Sequence, residues 1–320
     1  MVPPIHTERG CNVRWRGAMR APACAAVLKR LAGWMLLLLC SAAPAVAGGG
    51  AWNMEEGKYY GKVELSSLTA THQYGLRGQV ALIYGDTSNF RNTDYGTTDI
   101  SFYGEIGFND WLTGVASTEY KVAVLKSFYR PTGRDSTASA SGLGDLWLGA
   151  RIRLLPLDKD YAAAVTVGFK LPTGSPLQAI PLGTGVVDYE LAAAVGSSFV
   201  APGELQSYAQ LSGGYRLRNG RASDELNYQA EVGAHLGELF VARAVLDGIH
   251  SFAAMDGDPN HPDDFSTRDL VGNQSYTRFG LGVVYNVNPG MELNVGYHWN
   301  TGGRNALQLS GLSVGIAWKN

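Results

Sequence analysis

From residue 57 onward, apolar and polar side chains alternate with a period of two in about twelve runs, each roughly 9 to 14 residues long. Successive residues of a strand point to opposite faces, so a strand can meet lipid on one side and water on the other only if its sequence alternates. In 225–236, Leu226, Tyr228, Ala230, Val232, Ala234 and Leu236 share one face, and Glu225, Asn227, Gln229, Glu231, Gly233 and His235 share the other. In 291–300, Met291, Leu293, Val295, Tyr297 and Trp299 oppose Glu292, Asn294, Gly296, His298 and Asn300. A soluble sandwich accounts for two or three such strands, not for a dozen of membrane-crossing length with almost no continuous apolar core. The expected fold is all-β: a transmembrane antiparallel up-and-down barrel of about twelve strands, of the bacterial outer-membrane type.

The first 47 residues stand outside this pattern. Arg20, Lys29 and Arg30 precede the apolar stretch Leu31 to Leu39, and Ala45, Val46 and Ala47 supply the small-residue site of a signal peptidase. Residues 1–47 therefore read as a presequence cleaved after Ala47, with Met19 a candidate true start, and 48–320 as one barrel domain without linker or low-complexity tract. About ten apolar residues are too few for a membrane anchor, and Leu39 stands before Cys40 where a lipidation site needs a small residue. Cys11, Cys24 and Cys40 all lie in the presequence, so the mature chain can hold neither a disulfide nor a thiolate metal site. Cleavage also removes six basic residues and one acidic residue, leaving 20 basic against 27 acidic, a balance that argues against nucleic-acid binding.

The runs place strands near 57–67, 98–108, 111–125, 143–155, 160–171, 187–199, 204–218, 224–236, 238–252, 275–286, 291–301 and 307–318. An even number puts both termini on one side. Connections after even-numbered strands are then short, at Asn109–Asp110, Pro156–Lys159, Val200–Gly203, around Gly237 and at Val287–Gly290. Long ones, at 68–97, 126–142, 172–186 and 253–274, follow odd-numbered strands. Short periplasmic turns and longer outer loops are the asymmetry of outer-membrane barrels. Trp111 and Trp318 fall at the periplasmic interface and Trp299 near the opposite rim, where amphipathic rings are favoured. The last strand ends in an aromatic, which suits recognition by the barrel-assembly machinery, although Lys319 and Asn320 follow it.

With the apolar faces against lipid, the lumen receives Lys58, Lys62, Glu64, Asp99, Glu105, Glu119, Lys121, Asp145, Arg151, Arg153, Lys170, Asp188, Glu190, Arg216, Arg218, Glu225, Glu231, Arg243, Asp247, Arg278, Glu292 and His298. The signs nearly balance, whereas a charge-selective pore carries an excess of one sign at its constriction. A balanced interior implies ion pairs between strands and a narrow or partly filled lumen. Bracing of the wall is the plainer reading; polarising a channel around a small solute is the functional one.

Other motifs carry little. Gly311, Ser313 and Gly315 spell G-x-S-x-G, but inside an alternating terminal strand with no helix to follow. Asp256, Asp258 and Asn260 begin like a calcium loop, yet His261 stands for the glycine and Thr267 for the bidentate glutamate. Gly183 and Gly185 lack the third glycine of a dinucleotide site. Of the remaining histidines, His72, His235 and His250, the last adjoins Ser251, but strand neighbours point apart and cannot form a dyad. No catalytic residue, cofactor or metal site is expected.

Several segments, GLGDLWLGARIRLLP (142–156), VGFKLPTGS (167–175), PLGTGVVDYEL (181–191), DELNYQAEVG (224–233) and FNDWLTG (108–114), are similar in kind and order to the outer-membrane barrel family of the meta-pathway of phenol degradation. The resemblance implies a channel-like outer-membrane protein associated with uptake of aromatic or other poorly soluble compounds, and it implies no catalytic residues. The expected function is passive outer-membrane passage of small hydrophobic or aromatic compounds, with Phe90, Tyr95, Phe128 and Tyr129 as capture residues or interface anchors. The alternatives are a structural or surface-interaction barrel with a plugged lumen, and, less favoured, a rim-sited lipid-modifying enzyme. Expected partners are outer-membrane lipid and lipopolysaccharide, the assembly machinery and the solute.

Overall fold

A computed structural model describes residues 50–84, 89–156, 160–219, 222–252 and 273–320. The expected presequence, with its expected cleavage site, and the Asp256–Thr267 segment lie outside the described residues. Every regular element is a strand: β1 (Tyr59–Ala70), β2 (His72–Tyr74), β3 (Val80–Leu82), β4 (Phe90–Asn109), β5 (Leu112–Tyr129), β6 (Arg134–Leu143), β7 (Leu146–Arg153), β8 (Tyr161–Leu171), β9 (Asp188–Ala201), β10 (Leu205–Arg218), β11 (Glu225–Leu236), β12 (Phe240–Ser251), β13 (Ser275–Asn288), β14 (Met291–Arg304), β15 (Ala306–Leu307) and β16 (Ser310–Lys319).

Each long strand pairs antiparallel with its sequence neighbour, and β1 pairs with both β4 and β16, at Val63↔Phe102 and Val63↔Ile316, which closes the sheet. β6 and β7 follow one another along the same flank of β5, so the closed barrel has twelve staves. Closure matters because hydrocarbon offers no partner to an open edge. The alternation has the expected consequence: Leu65, Val195, Leu211, Val295 and Val314 are among the many large apolar side chains left exposed on the outer face. Glu64, Asp99, Arg151, Asp188, Glu190 and Asp247 are buried on the inner one.

The strand boundaries agree with the alternation inside the apolar belt and depart from it above. The connections expected at 68–97 and 126–142 are largely strand: the β4–β5 ladder runs up to Phe90↔Tyr129, and β5–β6 form a hairpin that turns at Arg130–Gly133. Beyond the lipid both faces meet water, so the alternation that marks a membrane strand fades although the hydrogen-bonded ladder continues. The strand expected at 143–155 is β7 and begins at Leu146; a break at Gly144–Asp145 separates it from β6, which, but for Leu143, lies within the expected 126–142 connection. There the Asp145 carboxylate leaves the wall to accept from the amides of Gly174 and Thr184, at 3.1 and 3.0 Å. Lys58 precedes β1 and is exposed at the mouth rather than within the lumen.

A second, three-stranded sheet of β15, β2 and β3 sits at the long-loop end. Its Leu307 joins Ala70 and Ile83 in an apolar cluster; a second cluster holds Ala123, Leu125, Ala140, Ile180 and Leu182. Ala123 and Leu125 share the lumenal parity of β5, so the 172–187 connection folds inward against the wall instead of standing in solvent. Replacing Val295, an outward residue in the middle of β14, by arginine is expected to cost about 2–4 kcal/mol in reversible unfolding from lipid vesicles, whereas Val295→Leu should leave the midpoint unchanged.

Candidate functional site

The lumenal side chains form two polar tiers. In the tier nearer the long loops, five neighbouring staves are joined by one chain of ion pairs. Lys170 lies 3.2 Å from Asp145 and 2.6 Å from Asp188. Arg218 bridges Asp188 and Glu225 at 3.8 and 3.1 Å, and Arg216 bridges Glu225 and Glu190 at 2.6 and 2.7 Å. Across the lumen wall, Arg278 meets Asp247 at 2.8 Å, and Lys121 meets Glu119 at 2.9 Å. Apart from Lys121–Glu119, which lies within β5, every pair joins neighbouring staves and ties the wall laterally as the ladder does, and charge is neutralised without a fixed field of one sign.

The tier nearer the short turns is built on Arg151, 1% exposed, whose guanidinium takes both oxygens of Glu105 at 2.9 Å. The Tyr103 hydroxyl donates to the same carboxylate. Lys62 pairs with Glu64 at 2.6 Å, Tyr208 donates to Glu231 at 2.6 Å, and Lys319 pairs with Glu292. Arg153 occupies a lumenal position at the end of β7, half-buried, and Arg243 lies on the lumen face of β12 over Gly282. His298 is buried on the lumen face of β14, and among the described residues neither ring nitrogen has a hydrogen-bond partner.

At the level of the first tier lies a cavity of about 420 Å³ with a mixed lining. Leu68, Tyr95, Ile180, Leu182, Leu307 and Leu309 form the apolar part of its wall; Lys170, Arg216, Arg218, Glu225 and Arg278, with Asp99, Glu119 and Lys121, form the charged part. Asp145 holds the apolar wall in place: its carboxylate binds the amides that begin and end the infolded 174–184 stretch, while Lys170 bonds Thr184 Oγ1 at 2.9 Å. Such a chamber can seat a molecule with an apolar body and a polar edge, within the size range of small-ligand sites, roughly 300–1,000 Å³.

Residues the alternation leaves unremarked take part as well. Trp147 is buried at a lumenal position of β7, Tyr60 and Tyr103 meet edge to face at 6.2 Å, and Tyr208 meets Trp52 likewise at 6.1 Å. Their signal was parity: each tyrosine shares the face of its strand's charged residues. Leu68, Ala123 and Leu125 are lumenal yet apolar, which a polar-inside rule passes over.

Trp111 and Trp318 are exposed on the outer face at the short-turn end, and Trp299 lies on the outer face near the other end, stacked on Phe279 with centroids 4.4 Å apart. Phe90 and Tyr129 face each other at 5.0 Å at the tip of the β4–β5 ladder, while Arg91 covers Phe128. Tyr95 points into the chamber. Ser313 is buried in mid-strand opposite Ser66, and His250 is exposed beside Phe252, on the other side of the sheet from Ser251.

Truncating Arg151 leaves Glu105 charged and unpaired in the wall, which is expected to cost about 3–5 kcal/mol. Arg151→Met combined with Glu105→Gln should recover much of that loss, read as the urea midpoint of the single and double variants.

No curated protein sequence matches the chain. Among solved structures, the COG4313 outer membrane channel from Pseudomonas putida F1 superimposes with a TM-score of 0.60 at 15% identity, covering 86% of this chain and 100% of that one. The NanC porin gives a TM-score of 0.47 at 8% identity over 81% of this chain and 100% of the porin. The first likeness is one of fold, that of an outer-membrane barrel. A sequence-family model described as "Putative MetA-pathway of phenol degradation" matches residues 48–316, nearly the whole chain, and to that family this protein belongs.

Proposed function

We propose that the protein is a passive channel of the bacterial outer membrane that admits small, weakly polar solutes with an apolar or aromatic body. The observation that carries this reading is the apolar surface within an otherwise charged chamber. A conduit for fully polar solutes gains nothing from Leu68, Ile180, Leu182 and Leu307 inside its lumen, where apolar surface costs hydration. The paired charges that share the lining offer hydrogen bonds without excluding a neutral molecule. Family membership supports the same direction, because the family's description concerns phenol degradation. The reading needs no cofactor and no reacting group; its partners are lipid, lipopolysaccharide, the assembly machinery and the solute.

One observation favours a second reading, a braced barrel that conducts nothing. Both ends of the lumen are occupied by the chain itself: the 172–187 connection at one, and the residues before β1 at the other. Uptake separates the two. Cells or outer-membrane vesicles with and without the protein, at matched membrane integrity, are given labelled aromatic and aliphatic compounds. Faster, saturable entry of one class is expected, and Leu182→Asp should slow it severalfold while the barrel remains folded. Equal entry across the panel with abundant folded barrel supports the structural reading instead.

A further inference from the structure

Residues 50–56 precede the first stave and, unlike Gly57 and Lys58, which extend its ladder to Gly107, add nothing to barrel closure, yet Ala51 and Asn53 are buried. The lumen wall binds them. The Met54 amide donates to Thr113 Oγ1 at 2.9 Å, and the Asn53 side-chain amide donates to the carbonyls of Arg151 and Trp111 at 3.0 and 3.2 Å. Arg151 Nη1 donates to the Trp52 carbonyl at 2.8 Å, and the Ala51 amide reaches Gln210 Oε1 at 3.3 Å. Thr113 and Arg151 belong to β5 and β7, Gln210 to β10; the segment thus crosses the mouth from one flank of the barrel toward another.

The wall is shaped for it. A Cβ on Gly107 would lie 2.0 Å from the Glu55 carbonyl oxygen, and one on Gly196 would lie 2.5 Å from the Trp52 ring. Glycine inside a strand is otherwise unfavourable and marks a place where another chain segment comes close. Arg151, held by Glu105, has one nitrogen aimed at the segment's backbone, so the strongest ion pair of this tier also serves as its receptor.

We propose that the short-turn mouth of the barrel is a binding site for the chain's own residues 50–56, and that solute leaves the lumen only after this strap is released. The bonds that hold it are mostly single contacts between neutral groups, the kind that opens locally while the barrel stays intact. The proposal rests on the channel reading, so its test is read in ions rather than in any chosen solute.

Residues 48–320 contain no cysteine, so Ala51→Cys provides a single reporter there. Its alkylation by a bulky maleimide should be slow in the otherwise native barrel and at least roughly tenfold faster once Gly107→Val displaces the strap. Conductance in planar bilayers should rise severalfold in Gly107→Val and in a chain lacking 50–56. Gly196→Val, which acts on the Trp52 ring, covers the case in which the Gly107 variant does not fold. Equal reactivity of the introduced thiol in both backgrounds overturns the proposal, as does unchanged conductance in folded variants whose strap is exposed or deleted. Raised conductance without faster entry of any aromatic or aliphatic compound upholds the strap and removes the solute reading instead.

Discussion

The structure depends on one constraint: a backbone that crosses hydrocarbon must bond to itself everywhere, and a sheet does so only by closing. Closure dictates the alternation, since each stave then has one face in lipid and one in a confined interior. Twelve staves enclose more room than side chains of an eight-stranded barrel would fill, and less than a wide aqueous pore. What occupies that room decides whether the barrel braces or conducts.

The interior is settled by charge. Removing one partner of a buried pair is costly, and the pairs here share partners: Asp188 serves Lys170 and Arg218, Glu225 serves Arg216 and Arg218. Between the terminal Asp145 and Glu190, each ion of this chain keeps a second neighbour when one moves. The same linkage leaves little unbalanced charge to select ions. Discrimination then falls to shape and to the apolar wall, which is why Asp145 matters beyond its charge: it positions that wall.

The sequence made the staves within lipid legible almost residue by residue, because there the environment on the two faces differs. It made their extensions above the lipid illegible for the complementary reason. Asp94 and Gly96 lie in the ladder before the expected start at 98 but give its outer face no apolar side chain. The lumenal charges could be read from parity, but their partners could not, since pairing depends on register between strands; Arg151 and Glu105 lie 46 residues apart in sequence. The apolar chamber wall was hidden for a different reason: Ile180 and Leu182 sit in an irregular connection whose inward fold is fixed by Asp145, a contact no periodicity encodes.

The break at Gly144–Asp145 also sets a waterline. Above it, β6 pairs with β5 alone among the described strands, so the backbone amides and carbonyls of its other edge face no stave; the Ser141 carbonyl accepts from Gln178 Nε2 at 3.5 Å. Those groups can be hydrated but not dissolved in hydrocarbon. The apolar belt must therefore end near the height of Leu143 and its ladder partner Tyr120, and the depth at which the whole cylinder floats is decided by where one stave loses its second partner.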